Sequence, residues 1–393
     1  MLAISTGKSV VHMVDTETWK SHDLVVPYSR RLQYNNSSAM SPDGRFVYSA
    51  GTSRDMWHRL ETESGLVCGG VTTHDGTGGC TCRAGGDGFS DVVNKESPVE
   101  YGVMPSRNPQ CALRNDYVCA MALSPDGKFL ATTGEKHFDC SSTDIIIWNT
   151  ETSAIEHVLR DTGHTTCLVF SSDRSRIAAG KVCEYQTAGA EVKVWDVETR
   201  ELTHTLCWEY LKEINDLAFS SVNPAILAIS SERSIRQVDL DNMQAPPRRF
   251  NGRNCRYSPI GDVIATSGMH SPDTHDINIL SVLSGERIQG KYLAHYSPVN
   301  DICWSPYGRK IASSCHGCCK VWDPLTFRLL NTIDTSYRLG NFICMSWGPN
   351  WKRVVDRRVA CAMALHDRIG NRSFMKLIPS DMLQTIAWGA EHE

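Results

Sequence analysis

The chain lacks the marks of several large classes. No run of about 18 apolar residues occurs in its 393 residues, which excludes a helical membrane span. No basic segment followed by an apolar run opens it, so no secretory leader is expected. Charge of either sign is in little excess, 40 Lys and Arg against 44 Asp and Glu, and no bulk polyelectrolyte partner is implied. Catalytic motifs are missing too. There is no Gly-x-Ser-x-Gly elbow, no His-Glu-x-x-His and no kinase set. The glycine-rich stretch 76–88 has no Gly-Lys-Ser/Thr ending and reads as a loop, not a phosphate cradle. These absences predict a non-enzyme with no cofactor, no small-molecule substrate and no membrane association.

Cysteine, by contrast, is plentiful, with 16 residues. Many fall within strand patterns (Cys119, Cys167, Cys303, Cys344), where a thiol acts as a small apolar group. With no leader, a reducing intracellular compartment, cytoplasmic or nuclear, is expected. Two clusters raise the question of metal. One gathers Cys80 and Cys82 with Cys68 and His74. The other is Cys315-His316-Gly317-Cys318-Cys319. Zinc takes four N or S ligands, commonly from two paired knuckles. Cys315 and Cys318 have knuckle spacing, but no second pair follows, so no metal site is expected.

Two phrases recur along the chain. The first is an apolar stretch running into Ser-Pro-Asp-Gly or a worn copy. Met40 leads into Ser41-Pro42-Asp43-Gly44 and Leu123 into Ser124-Pro125-Asp126-Gly127. Phe170, Phe219, Tyr257, Trp304 and Trp347 stand before later copies, at steps of roughly 40–50 residues. Pro presets the first corner of a β-turn, Asp caps it and Gly takes the left-handed conformation. The second phrase is a short β-branched stretch ending in Trp-Asp or a relative: Trp148-Asn149, Trp195-Asp196 and Trp322-Asp323. Elsewhere the slot reads Val14-Asp15, Leu60-Glu61, Val238-Asp239 and Leu280-Ser281. Each copy is thus an antiparallel meander of four strands. A lone meander cannot bury both faces, whereas a ring of meanders can.

These residues resemble the WD40 repeat family over about residues 1–350. The resemblance implies an all-β propeller with seven four-stranded antiparallel blades, closed by strands from both ends of the chain; eight blades are the alternative. Residues 351–393 are expected as a C-terminal extension, and residues 72–115 as an insertion between blades two and three. By similarity, His295, nine residues before Trp304, occupies the family's buried Trp-Ser-His-Asp network, with Ser313 or Ser314 and Trp322. His316 stands at the usual Asp position, which leaves that network incomplete.

Within a blade, the turns between strands one and two and between three and four open on one face. The other connections open on the opposite face, and they are the elaborated ones. Lys136, His137, Lys181, Glu184, His270, Asp273 and His316 are the candidate contact residues there. The resemblance implies a protein-interaction scaffold or adaptor subunit. RNA is the alternative partner, supported by Arg248, Arg249, Arg253 and Arg256 and by Lys352, Arg353, Arg357 and Arg358.

Overall fold

Period-two alternation, β-branched enrichment and regularly spaced turn residues generate strands throughout the described chain. The computed structural model describes residues 1–6, 10–25, 35–51, 55–73, 80–83, 117–135, 144–160, 165–181, 189–208, 214–231, 234–268, 275–291, 293–334 and 342–348.

Blade one begins with β1 (Leu2–Thr6), β2 (Val10–Val14) and β3 (Ser21–Val25). Blade two holds β4 (Asn35–Met40), β5 (Phe46–Gly51), β6 (Asp55–Glu61), β7 (Val67–Thr73) and β8 (Cys80–Arg83). Blade three holds β9 (Tyr117–Leu123), β10 (Phe129–Glu135), β11 (Ile145–Asn149) and β12 (Ile155–Leu159). Blade four holds β13 (Thr165–Phe170), β14 (Arg176–Lys181), β15 (Ala190–Asp196) and β16 (Leu202–Trp208). Blade five holds β17 (Asp216–Phe219), β18 (Ile226–Ser231), β19 (Ser234–Asp239) and β20 (Arg248–Asn251). Blade six holds β21 (Cys255–Tyr257), β22 (Val263–Ser267), β23 (Ile277–Ser281) and β24 (Arg287–Lys291). Blade seven holds β25 (Asp301–Trp304), β26 (Ile311–Cys315), β27 (Cys318–Trp322) and β28 (Leu329–Asp334). The last strand, β29 (Phe342–Trp347), returns to blade one.

Among the described residues the sheets number seven, as the repeat predicts. Six have four strands, while blade two gains β8 as a fifth, paired antiparallel to β7. The stretch expected as an insertion therefore starts by extending a blade, and residues 84–116 lie outside the described residues, as do 351–393. Ring closure follows the expected scheme. β29 pairs with β1 in the register Leu2↔Trp347 and Ile4↔Met345. The Met1 amino group donates to the Gly348 carbonyl at 2.8 Å. Each first strand packs on the next, so β29, β4, β9, β13, β17, β21 and β25 form the innermost ring.

Where the core sits follows from this arrangement. Buried apolar side chains fall into clusters that each join two consecutive blades. In every cluster the residue before the Asp-type slot is a wedge against the preceding blade. Trp148, Trp195 and Trp322 serve three junctions. Val14, Leu60, Val238 and Leu280 serve the other four. Burying one such side chain contributes about 1.5–3 kcal/mol. A smaller wedge thus keeps the junction apolar at a reduced gain, which explains why Trp can be lost from the slot without losing the blade.

The polar half of the slot has a different task. Its side chain caps the turn that follows. Oδ1 of Asp196 accepts the Glu198 and Thr199 amides at 3.0 and 2.7 Å, and Oδ1 of Asp323 accepts the Leu325 amide at 2.8 Å. Asn149, Asp15 and Ser281 accept amides in the same way. The turn ends in a left-handed residue, such as Arg200 at φ 66° or Phe327 at φ 52°, whose amide returns to the slot carbonyl. A short acceptor is what the geometry demands, so Asp, Asn and Ser interchange.

Candidate functional site

At blades six and seven the face carrying the links between blades is built around one link and one hairpin. There the segment 293–300 runs from β24 to β25 beside the β26–β27 hairpin. The scaffold pins it at several points. Nζ of Lys320 donates to the Ala294 carbonyl at 2.6 Å, and Nδ2 of Asn254 to the Asn300 carbonyl at 3.0 Å. The Asn300 amide donates to the Ser314 carbonyl at 2.8 Å. The Tyr296 hydroxyl donates to the His316 carbonyl, and the His316 amide to Ser297 Oγ at 3.2 Å. Held this way, the segment presents Leu293 and Tyr296, 72% and 64% exposed, next to exposed His316.

Beneath that surface lies the network expected around His295. Its Nε2 meets Ser313 Oγ at 2.7 Å, and Trp322 Nε1 donates to the same oxygen at 2.8 Å. The imidazole stands edge-on to the indole, with centroids 6.4 Å apart. His316 does not replace the missing aspartate. Instead Nδ1 of His295 faces Cys318 Sγ at 3.6 Å, and Cys318 Sγ lies 3.3 Å from Cys315 Sγ. The hydrogen bond from Cys318, with help from His295, pulls the Cys315 thiol well below its ordinary range. The same contact with Cys315, together with burial, holds the proton on Cys318.

A second polar cluster crosses the innermost ring. Arg256 on β21 binds Asp216 of β17 through Nη1 and lies 3.5 Å from Asp301 of β25 through Nη2. Asp216 Oδ2 also accepts the Cys255 amide at 3.1 Å, and Asp301 Oδ2 accepts the Met345 amide at 2.8 Å. Burial pushes the Asp301 carboxyl up to about 6, with Arg256 opposing the shift. Burial disfavours the Arg256 charge, yet Asp216 and Asp301 hold the guanidinium firmly protonated. Thiols nearby are inert for the same reason: burial pushes Cys167 up to about 12 and Cys255 and Cys303 far above their usual range.

Of the residues singled out by sequence, Trp148, Trp195, Trp322 and His295 are buried, and Asp196 and Asp323 cap turns. Lys181 lies 3.6 Å from Glu191 on its own blade. Lys136, His137, Glu184, His270 and Asp273 lie outside the described residues, as does His74 of the first cysteine cluster. Of the four arginines proposed for RNA, Arg253 is exposed between β20 and β21, but Arg256 does not join a patch with Arg248 and Arg249. Arg248 and Arg249 sit on β20, the outer strand of blade five, whereas Arg256 is neutralised on the inner ring. Sequence reading missed the Asp216–Arg256–Asp301 belt. Its signal was present as Asn215-Asp216 and Asn300-Asp301, each four residues before a repeat serine.

Comparison with known proteins adds a family and distant relatives. The model described as "WD domain, G-beta repeat" matches residues 109–149 and 286–323. Periodic tryptophan protein 2 of Arabidopsis thaliana is 23% identical over 257 residues, 61% of this chain and 27% of that protein. The transcriptional corepressor LEUNIG_HOMOLOG of Arabidopsis thaliana is 21% identical over 227 residues, 57% of this chain and 26% of that protein. The chain thus spans about a quarter of the length of these relatives. A crystal structure of the mitotic checkpoint complex aligns at TM-score 0.45 and 18% identity, over 57% of this chain and 64% of that one.

Proposed function

This chain belongs to the WD40 repeat β-propeller family, and from that premise we propose that it is a non-enzymatic scaffold or adaptor subunit of an intracellular complex, holding partner proteins on the face where the blade links emerge. Members of the family bind proteins and are usually non-catalytic. The asymmetry of the two faces carries the reading. On one face, six serine-anchored turns fix the backbone tightly, from Ser41 to Ser305. On the other, the pinned segment 293–300 exposes Leu293 and Tyr296 beside the hairpin tip. Rigid display of an exposed aromatic and an apolar neighbour is the ordinary composition of an interaction anchor.

A second reading has its own observation. On the tight-turn face of blades five to seven, Val222, Ile260, Leu283 and Leu325 are 65–84% exposed. Such apolar turn tips suit a second contact zone.

Affinity purification separates the two. Beside the full chain, one variant carries Leu293→Ala with Tyr296→Ala, one has residues 84–116 replaced by a short linker, and one carries Leu283→Ser with Leu325→Ser. Loss of partners in the first supports the link face, and loss in the second alone assigns them to the segment that follows β8. Loss only in the third moves the interface to the turn face, and an unchanged set in all three overturns both.

A further inference from the structure

Cys315 and Cys318 flank the two-residue turn at the tip of the β26–β27 hairpin and are register partners. Gly317, at φ 85°, supplies the left-handed corner that the turn needs. Register pairing puts both side chains on one face of the blade, with their sulfurs 3.3 Å apart. On that face the link 293–300 lays down His295, whose Nδ1 is 3.6 Å from Cys318 Sγ. The three donor atoms all lie within 4.8 Å of one another, and all three residues are buried. Nε2 of His295 is engaged by Ser313 Oγ at 2.7 Å, which fixes the ring with Nδ1 toward the sulfurs. A ring nitrogen anchored to an oxygen while the other faces soft donors is how metal-binding histidines are set up.

We propose that His295, Cys315 and Cys318 form a binding site for a thiophilic d10 cation, zinc(II) in the first instance, with water in the fourth position. The spacing suits the ion. Tetrahedral zinc with Zn–S near 2.3 Å and Zn–N near 2.05 Å sets S···S at about 3.8 Å and S···N at about 3.6 Å. The distance from Nδ1 to Cys318 already matches, Cys315 Sγ lies within 4.8 Å of Nδ1, and the sulfurs at 3.3 Å need to part by about half an ångström. Two sulfurs and an imidazole favour zinc or copper(I) over hard cations such as magnesium or calcium. Two thiols bind as thiolates, so each ion taken up releases up to two protons to solvent. The ion would tie the link segment to the hairpin tip, bracing the surface that shows Tyr296 and His316. The pair of knuckle cysteines looked unsupported in sequence because the third ligand comes from a different segment, a link between blades.

The full chain, reduced and freed of metal with a chelator, is titrated with zinc against a chromophoric chelator. One ion per chain is expected. Cys315→Ser and Cys318→Ser should each weaken binding by more than about 100-fold, and Ser313→Ala by about 10–100-fold. Two controls should be unchanged: Cys319→Ser, whose sulfur faces Met345 at 3.4 Å, and Cys80→Ser in the other cysteine cluster. Cobalt(II) should give a thiolate charge-transfer band with intense tetrahedral d–d absorption. A readout on unmutated protein guards against misfolded variants: zinc should slow alkylation of Cys315 and Cys318 selectively, mapped by mass spectrometry. Absence of a stoichiometric ion, wild-type binding by Cys315→Ser, loss in Cys80→Ser instead, an octahedral cobalt spectrum, or unchanged alkylation overturns the site.

Discussion

In blades two, three and four, the hydroxyls of Ser41, Ser124 and Ser171 donate to the aspartates two residues on, at 2.5–2.6 Å. Each hydroxyl also accepts the amide that opens the next strand, at 2.9 Å. In blades five, six and seven the aspartate is gone. Ser220 and Ser258 accept only weak amide contacts of 3.3–3.4 Å, and Ser305 accepts the Lys310 amide at 2.9 Å. The acids of this second half sit elsewhere, as Asp216 and Asp301 on the inner ring, shared through Arg256. One half of the propeller thus stiffens its blades at the turns, where Arg174 of blade four also pairs with Asp126 of blade three. The other half ties neighbouring blades together across the channel side. A local device is copied with the repeat, whereas a tie between blades requires residues from different copies.

The largest test of that contrast is Arg256→Ala. Removing the guanidinium leaves two nearly buried carboxylates without their positive partner. Breaking a fully buried pair costs about 3–5 kcal/mol, and partial exposure of Arg256 places this case near 3 kcal/mol. Urea unfolding measures it. The loss should shrink in mild acid. The Asp301 carboxyl is raised from 3.8 to about 6, so its neutral form is favoured by folding, and its ionisation removes stability as pH rises through about 6. A loss below about 1 kcal/mol would class the belt with ordinary surface pairs.

The contrast also marks how far the sequence could be read. The strands, the closure by β29 and the wedge residues follow from patterns that repeat in each copy, so alternation and spacing expose them. Blade two shows the first limit: β8 has no counterpart in other copies, and Cys80–Arg83 reads as loop because nothing repeats it. The belt shows the second. Asp216 and Arg256 are 40 residues apart, and Asp301 and Met345 are 44 apart, so only ring geometry brings them together. His295 was legible by its place before Trp304, but its neighbour Cys318 was not. The hairpin register, rather than any motif, turns that sulfur toward the ring.

A pH titration tests the first half of the ring. His58 on β6 is fully enclosed, and burial lowers its pKa to about 4. Folding therefore favours the neutral ring. Its contribution is complete above the unfolded value of 6.5 and is lost as pH falls toward 4. Between about pH 7.5 and about pH 5 the cost is about 2 kcal/mol. His58→Gln should flatten that part of the stability profile, whereas an unchanged acid slope would assign it to other groups.

The smallest expected effect bears most directly on the turns. Ser124→Ala removes a donor to Asp126 and the acceptor for the Phe129 amide, which then loses its partner at the strand start. A hydrogen bond to a charged group plus one orphaned amide is worth about 1.5 kcal/mol once the exposure of Asp126 is allowed for. Ser258→Ala removes one amide contact of 3.3 Å, worth about 0.5 kcal/mol. Equilibrium unfolding of the two variants should therefore differ about threefold in destabilisation. Equal losses would mean that the serine's bond to the aspartate adds nothing to the turn. The worn copies in blades five to seven would then be as well anchored as the intact ones, and the division of the ring into two halves would rest on the inner belt alone.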